Sequence, residues 1–354
     1  MIHQTGQTSC YDEQGKELEC SQTRQDGRFR HGTSWPRPRF EVDGLVVLDR
    51  LTGLVWPRNA NLGEFPMTWA ESLDFVARMN QEQALGAGDW RLPNRRELRS
   101  LISYQAKKPA LPEGHPFRDV VLNWYWTSTS AAINPAYAWY VHMEGARMFY
   151  GRKDQYYLTW PVRAGEPSCL LQTGQEHCRD RHGRVIDCPG TGQDGELRFG
   201  LDWPKPRFRT SGEVVRDRLT GLTWVRRADL TGQPCTWREA LDAVEKLRRK
   251  EFAGRQDWRL PNINELESLV DCSRHNPALP GDHPFSHAGE GYWSSTTSCF
   301  ETDWAWVLYL RKGALGVGFK INPDFLVWPV AGEHAPLGQG SGIAPEQPDK
   351  GRRL

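Results

Sequence analysis

An internal repeat with an almost constant offset of 168 residues constrains this sequence more than any other feature. Residues 49–54 read Asp-Arg-Leu-Thr-Gly-Leu and return unchanged at 217–222, and residues 89–94 read Asp-Trp-Arg-Leu-Pro-Asn and return unchanged at 257–262. The chain has 16 tryptophans, and seven of the eight in each half have a partner in the other half. Self-similarity of this kind indicates two copies of one folding unit.

The repeat sets the expected domain boundaries. We expect copy one in residues 1–166, copy two in residues 167–334, and a disordered tail in residues 335–354, which are rich in Gly, Pro and charged residues. Each copy has the length of an ordinary domain and can bury a core of its own. No Ser/Gly-rich linker separates the copies, so we expect them to touch.

Charge and hydropathy exclude several classes of function. The net charge of +1 comes from 45 basic and 44 acidic residues, a balance that predicts no binding to nucleic acid. No stretch has the roughly 18 apolar residues of a membrane span, so we expect no membrane insertion. The first ten residues are polar and do not resemble a signal peptide, so no export signal is visible in the sequence.

Two consecutive helices are predicted in each copy. Thr68 and Glu71 form a capping-box pattern ahead of apolar residues at helical spacing. Asn94 and Glu97 repeat the pattern for a second helix, so helix capping is the simplest role for Glu97. Both patterns recur in copy two, at Thr236 with Glu239 and at Asn262 with Glu265.

The rest of each copy is typical of short strands and turns. A strand ending at Leu48, the turn Asp-Arg-Leu-Thr-Gly and a strand starting at Leu54 predict a hairpin. Strands, two consecutive helices and then more strands predict an α+β fold rather than a doubly wound parallel sheet. Further strands are predicted in both copies, at 137–143 and 304–310, with closing strands at 157–163 and 325–330.

Eight cysteines favour an oxidising compartment. Two pairs lie ten residues apart at matching positions, and each fits a disulfide that staples a hairpin: Cys10 with Cys20, and Cys178 with Cys188. Zinc is the less favoured alternative for these pairs, because paired zinc ligands usually lie closer together. The other candidate pairs are Cys272 with Cys299, both absent from copy one, and Cys169 with Cys235, which would complete an even count.

We expect no metal, no cofactor and no catalytic centre. His115 and His283 lie in His-Pro-Phe turns, one in each copy, without the three or four converging ligands that a metal site needs. No second carboxylate is fixed near the capping glutamates by spacing, so a glycosidase pair is not predicted. We expect Arg91 to be structural, with its guanidinium held by Asp89 or by a backbone carbonyl.

The ordered motifs resemble a known bacterial family. They are Thr-Gly-Leu-x-Trp, Thr-Trp-x-x-Ala/Glu, Asp-Trp-Arg-Leu-Pro-Asn, Glu-Leu, Tyr-Trp-x-Ser-Thr and a final aromatic strand, covering roughly residues 43–165 and 211–333. In this order they are similar to the family typified by the C-terminal domain of a collagen-like adhesin, the Lcl C-terminal type. The resemblance implies tandem C-type-lectin-like domains in an extracellular, cell-surface or periplasmic protein, and the adhesin itself binds sulfated polysaccharide.

Two departures limit what the resemblance implies. The fold is shared with sulfatase-modifying enzymes, but their paired active-site cysteines have no counterpart common to both copies. The Glu-Pro-Asn and Trp-Asn-Asp signatures of calcium-dependent lectins are also absent. Neither that enzymatic chemistry nor calcium-mediated sugar binding is therefore expected.

By analogy with lectin-like folds, we expect a ligand face on the C-terminal strands and loops of each copy. Aromatic rings can stack on sugars, and Arg can fork onto sulfate or carboxylate. Residues that differ between the copies are the better candidates, because a binding face can diverge while a core cannot. The candidates are Tyr137, Tyr140, Arg147, Tyr150, Arg152, Trp304, Tyr309, Arg311 and Lys312, with Phe149, Lys153 and Lys320 beside them.

The leading hypothesis is a non-enzymatic, exported adhesion module that binds a polysaccharide, including sulfated or acidic ones, or a surface protein. The alternative is a structural subunit of a cell-surface or envelope assembly, either a homo-oligomer or a larger complex. An enzyme related to the sulfatase-modifying group ranks last, because the motifs supply no nucleophile and base. The two copies are not expected to bind the same ligand in the same way.

Overall fold

The computed structural model describes residues 2–166 and 169–332, and it is an α+β protein made of two similar halves. The predicted disordered tail at 335–354 lies outside the described residues. Copy one has strands β1 to β9 and helices α1 to α3: β1 Cys10–Tyr11, β2 Glu17–Leu18, α1 Asp26–Phe29, β3 Phe40–Asp43, β4 Val46–Asp49, β5 Leu54–Pro57, α2 Trp69–Gln81, α3 Arg95–Ser100, β6 Trp124–Ser130, β7 Tyr137–His142, β8 Met148–Arg152 and β9 Arg163–Ala164.

Copy two repeats this order with strands β10 to β18 and helices α4 to α6. They are β10 Cys178–Arg179, β11 Val185–Ile186, α4 Asp194–Leu197, β12 Phe208–Ser211, β13 Val214–Asp217, β14 Thr223–Val225, α5 Trp237–Arg249, α6 Ile263–Ser268, β15 Tyr292–Thr297, β16 Trp304–Tyr309, β17 Ala314–Phe319 and β18 Val330–Ala331. Short 3-10 turns occur at Cys20–Gln22, Ala84–Gly86 and Phe252–Gly254.

The helix starts are confirmed. Thr68 accepts a hydrogen bond from the backbone N–H of Glu71, and the Glu71 carboxylate accepts one from the N–H of Thr68 at 2.8 Å. The reciprocal bonds satisfy two backbone donors that a helix start otherwise leaves open. Complete capping boxes also begin the other three helices that the sequence predicts, α3, α5 and α6.

The hairpin prediction is confirmed, but the continuous closing strands are wrong. Strands β4 and β5 pair antiparallel, with Asp49 opposite Leu54. Residues 157–163 instead form isolated bridges to different parts of the chain. Tyr157 pairs with Met67, and Val162 pairs with Arg91. Only their last residue joins a strand, β9, and the segment at 325–330 likewise ends in the two-residue strand β18.

The two copies share one six-stranded sheet. Its strand order is β15-β16-β17-β8-β7-β6, and the copies join where Leu315 of β17 pairs antiparallel with Met148 of β8. A separate four-stranded sheet in each copy carries the terminal strand, β9 or β18. The main hydrophobic core runs through both copies, since Trp139 and Trp306 belong to one buried cluster.

The copies also exchange their N-terminal segments. The first segment crosses to copy two, where the Asp26 carboxylate accepts a 2.7 Å hydrogen bond from the hydroxyl of Thr296. The matching segment of copy two crosses to copy one, where Asp194 accepts a 2.7 Å hydrogen bond from Thr129. Reciprocal contacts of this kind are typical of segment-swapped dimers, in which each subunit gives the same segment to its partner. Here the two copies exchange the segments within one chain.

Two buried lysines hold the exchanged segments in place. The Lys153 ammonium of copy one donates to the carbonyl of Arg179 at 3.2 Å, and it lies 3.9 Å from the ring centroid of Trp69. The Lys320 ammonium of copy two donates to the carbonyl of Asp12 at 2.9 Å. Burial lowers the pKa of each lysine to about 7. Both side chains are therefore structural, which corrects their place on the predicted ligand face.

Two of the four candidate disulfides are present. Cys10 is bonded to Cys20, and Cys178 is bonded to Cys188. Each bridge spans ten residues and closes the loop around a two-stranded hairpin, β1–β2 or β10–β11. The repeated spacing therefore predicted both bridges correctly.

The other two pairings are wrong, because the exchange separates the partners. Cys299 donates a hydrogen bond from its thiol to the carbonyl of Gln105 in copy one, at 3.0 Å. The Cys272 carbonyl accepts from the Gln175 side chain, which also bonds the carbonyl of Ser130.

Cys169 and Cys235 are kept apart in the same way. The Cys169 thiol donates to the carbonyl of Leu51 on copy one, at 3.4 Å. Cys235 is buried within the core of copy two, where its carbonyl accepts from the indole of Trp293.

Candidate functional site

The predicted ligand face lies mainly on strands of the shared sheet, and Tyr140 does not belong on it. Tyr140 is buried among aromatic rings, with its centroid 4.4 Å from that of Trp124 and 4.7 Å from that of Tyr157. Burial also raises the pKa of its phenol. Tyr140 is therefore a core residue, because the outward position that strand alternation suggests is covered by neighbouring rings.

Phe149 is exposed, and the other aromatic candidates are half-buried and packed against neighbours. The rings of Tyr137 and Tyr150 lie edge to face at 5.9 Å, and Tyr150 also packs on the buried Trp139. Trp304 packs on Phe319, with ring centroids 5.4 Å apart. The Tyr309 hydroxyl donates to the backbone of its own sheet, at the carbonyl of Val317.

The basic candidates are mostly exposed but do not converge. Arg147 is exposed, Arg152 pairs with its neighbour Asp154, and Arg311 lies 3.4 Å from Glu290. Lys312 lies on the join between the copies, where its ammonium is 5.6 Å from the ring centroid of Phe149. The structure thus brings Lys312 and Phe149 together across the copies and leaves the arginines apart.

A cleft of about 660 Å³ opens instead beside the N-terminal segment of copy one. Three stretches of chain form it: residues 4–8, the Trp-Pro-Arg-Pro-Arg stretch at 35–39, and the loop at 112–116. Two further lining residues, Arg30 and Ser34, come from the end of the exchanged segment. The cleft is large enough for a sugar unit or a short oligosaccharide, since ligand pockets commonly measure about 300–1,000 Å³.

Trp35 is the fixed aromatic wall of this cleft. Its indole N–H donates to the carbonyl of Gln4 at 3.0 Å, and the Arg39 guanidinium lies 4.6 Å from its ring centroid. Gly6 has a φ of +84°, and a side chain there would overlap the Trp35 ring. The glycine is therefore required both by the backbone and by the tryptophan.

Positive charge surrounds this wall. Arg30 and Arg37 are exposed, and neither forms an ion pair within the described residues. Arg39 beneath the ring is committed to structure, because its guanidinium donates to both oxygens of Asp49, at 2.9 and 2.8 Å. Glu113 is the acidic residue of the lining.

Copy two differs at the loop equivalent to the 112–116 wall of the cleft. Gly281 stands where copy one has Glu113, and the guanidinium of Arg274, at the position of Ala106, lies 2.5 Å from where a Cβ at Gly281 would be. Asp271, at the position of Ser103, lies 3.7 Å from Arg274. In copy two an arginine therefore lies against the wall that carries Glu113 in copy one.

Sequence reasoning missed this cleft. Trp35 has a partner in the other copy, Trp203, and the expectation that site residues differ between the copies points away from it. The usable signal is the difference between Glu113 of the lining and Gly281 of copy two, which lies outside the predicted face.

The motifs that both copies share have structural roles, and one expected contact, that of Arg91 with Asp89, is corrected. Arg91 is held by Glu97, at 2.5 Å, and the predicted partner Asp89 is exposed. Glu97 caps its helix as expected. His115 is stacked on Phe117 in its turn. No group of three or more potential metal ligands converges anywhere in the described residues.

Comparison with known protein families identifies one matching domain family. The Lcl C-terminal domain matches residues 45–163 and again residues 213–331, together more than half of the chain. The chain belongs to this family. Both matches lie within the expected copies, and membership of the Lcl C-terminal family suggests an adhesin-like or cell-surface module. No curated protein matches the chain.

Proposed function

We propose that this protein is a surface binding module whose ligand is an anionic polysaccharide held in the Trp35 cleft of copy one. The observation that carries the proposal is the pairing of a fixed tryptophan wall with two exposed arginines in one open cleft. An indole face stacks on the apolar face of a sugar ring, and guanidinium groups bind carboxylate or sulfate through paired hydrogen bonds.

The distribution of charge supports an acidic ligand although the whole chain is nearly neutral. Arg30 and Arg37 lie on the same cleft, so the local potential differs from the average over the surface. The Nε–H of Arg30 donates to the carbonyl of Gly27, and neither guanidinium is neutralised by a carboxylate of the described residues, so the charge of both groups can act on a ligand. The proposed binding face thus lies beside the N-terminal segment and not on the C-terminal strands that the sequence suggests.

Binding to immobilised heparin and to hyaluronan, measured on the full chain by surface plasmon resonance, tests the proposal. Arg30→Ala and Arg37→Ala together should weaken binding at least tenfold, and binding should fall as salt rises. The matched control is Arg198→Ala with Lys205→Ala, the equivalent positions of copy two. Equal losses in both double variants, or binding to neither polymer, would contradict the proposal.

We also propose that each copy has a C-type-lectin-like fold and that the protein is exported, as the family resemblance implies. We further propose that the protein has no catalytic role. Two disulfides favour an oxidising compartment. Among the described residues no helix combines the length and apolar character needed to cross a membrane. Burial raises the pKa of the Cys272 thiol to about 11, the opposite of what a nucleophilic cysteine needs.

A structural subunit of a surface assembly is the second candidate. Several large apolar side chains are exposed, including Phe65 at 74% and Leu45 at 69%. Exposed apolar residues of this size are common at protein interfaces. Native mass measurement distinguishes the candidates, because a stable higher-order assembly combined with no polysaccharide binding would favour the structural role.

A further inference from the structure

A second open groove, of about 420 Å³, lies between the copies. One wall is helix α2 of copy one with the residues at 89–92 that follow it. The other wall is the exchanged segment of copy two, at 190–192 and 196–199. The exchanged arrangement therefore builds this groove from residues of both copies.

At the equivalent place in the other copy, an arginine of the exchanged segment binds the helix. Arg24, on the exchanged segment of copy one, lies against helix α5, where its guanidinium is 2.9 Å from Asp242 and 3.4 Å from Glu245. In copy two, a guanidinium group of the exchanged segment therefore binds two carboxylates of helix α5.

Two substitutions leave the first groove without that arginine. Gly192 stands at the position of Arg24, so no side chain enters from the exchanged segment. Ala77 stands at the position of Glu245, while Asp74 keeps the carboxylate of Asp242. The groove retains one of the two carboxylates and lacks the arginine that reaches them from the exchanged segment in copy two.

The open groove has an excess of negative charge. Asp74 and Asp89 are exposed on its lining and form no ion pair within the described residues. Glu196 is bound by neutral donors, the backbone N–H groups of Gly190 and Gly192. The cationic residue of the lining, Arg91, is already paired with Glu97.

Apolar surface lies beside these carboxylates. Leu73 and Leu197 line the groove from opposite walls, with Trp90 behind them. Phe199, at the position of His31, is 37% exposed, and the Arg91 guanidinium lies 3.8 Å from its ring centroid. Such a surface suits the aliphatic stem of an arginine and an apolar neighbour.

We propose that this groove binds an arginine side chain of a partner protein, presented on a short segment with apolar residues beside it. The guanidinium occupies the place that Arg24 takes in copy two and pairs with Asp74. The flanking apolar side chains contact Leu73, Leu197 and Phe199. This partner is distinct from the polysaccharide of the Trp35 cleft.

Calorimetric titration of the full chain with the peptide Ac-Gly-Leu-Arg-Leu-Gly-amide tests the proposal. The matched peptide replaces arginine by citrulline, which has nearly the same shape but no charge. We expect saturable binding of the arginine peptide and at least fivefold weaker binding of the citrulline peptide. Equal affinity for the two peptides, or no saturable binding of either, would overturn the proposal.

Variants assign the binding to this groove. Asp74→Asn should weaken the arginine peptide three- to tenfold, and Ala77→Glu, which restores the carboxylate found in copy two, should tighten it by a similar factor. The control Asp242→Asn should leave the affinity unchanged, because Arg24 already binds that carboxylate. Loss in Asp242→Asn, or no change in Asp74→Asn and Ala77→Glu, would place the peptide elsewhere and refute the assignment.

Discussion

Arg99 and Glu267 occupy equivalent positions in the two copies, and their side chains form a buried ion pair where the copies join. In a symmetric dimer of identical chains each residue on the axis would face its own copy. Here the duplicated sequence has placed opposite charges at the two positions. The Glu267 carboxylate also lies 3.3 Å from Arg95, and the neighbouring arginines hold its pKa down to about 2.

We predict that this ion pair is essential for stability. Glu267→Gln should lower the free energy of unfolding by about 3–5 kcal/mol, because buried guanidinium groups then lack a counter-charge. The exchange Arg99→Glu with Glu267→Arg should recover part of the loss. Urea unfolding measures both, and Glu144→Gln, which breaks the surface pair with Lys108, is the control, with a change below about 1 kcal/mol. A loss no larger than in that control would contradict the role of the pair.

The exchanged segments should make stability depend on pH. Burial raises the pKa of Asp26 and of Asp194 to about 6. A raised folded-state pKa stabilises the protein below the unfolded value, near 4, and that contribution is lost as pH rises through 6. Each carboxyl then accounts for roughly 2 kcal/mol between pH 4 and pH 7.

Comparison of the wild type with Asp26→Asn by urea unfolding checks this prediction. The variant should gain stability relative to the wild type as pH rises from 4 to 7, because its amide stays neutral. The exposed variant Asp43→Asn should follow the wild type throughout. A constant difference between wild type and Asp26→Asn across this range would refute the buried-carboxyl explanation.

Much of each copy could be predicted from sequence because the signals are local. Capping boxes at Thr68 and Asn94, and the spacing of Cys10 and Cys20, depend on residues close together in the chain. The closing strands failed because the bonds at Val162 are set by distant partners.

The exchange of segments has no local signal. Thr296 bonds Asp26, and Thr129, at the matching position of copy one, bonds Asp194. Because both copies carry the threonine, the sequence allows the same contact to form within a copy or between copies. The two open spaces, beside Trp35 and beside Trp90, were missed for a related reason. Both lie beside positions at which the copies differ, Glu113 against Gly281 and Gly192 against Arg24, and no local pattern marks such differences as a site.

Cysteine chemistry gives a third prediction. Non-reducing peptide mapping should find Cys10 linked to Cys20 and Cys178 linked to Cys188, with the other four cysteines alkylated under denaturing conditions. Replacing one bridge, as in Cys10→Ser with Cys20→Ser, should cost roughly 3 kcal/mol for a loop of this size. A linkage between Cys272 and Cys299 would contradict the exchanged arrangement, which turns both residues toward copy one.

Closing the Trp35 cleft should abolish polysaccharide binding. Ala106→Arg with Ser103→Asp gives copy one the pair that copy two carries, and the new guanidinium should reach Glu113 on the cleft wall, because Arg274 lies against Gly281 at the equivalent place. Heparin binding by surface plasmon resonance should fall at least tenfold while the melting temperature stays within a few degrees. The reverse change, Arg274→Ala with Asp271→Ser, should leave the Trp35 cleft and its affinity intact. Retained binding in the first double variant would show that the ligand lies elsewhere.

The central claim is that the two Lcl C-terminal copies form one body through exchanged segments and a shared sheet. Cutting the chain between Glu166 and Cys169, at a protease site placed there, tests it most directly by native size-exclusion chromatography with light scattering. We expect the cleaved halves to co-elute as a 1:1 complex with the mass of the intact chain, 40.5 kDa. Separation into two independently folded monomers, without denaturant, would contradict it.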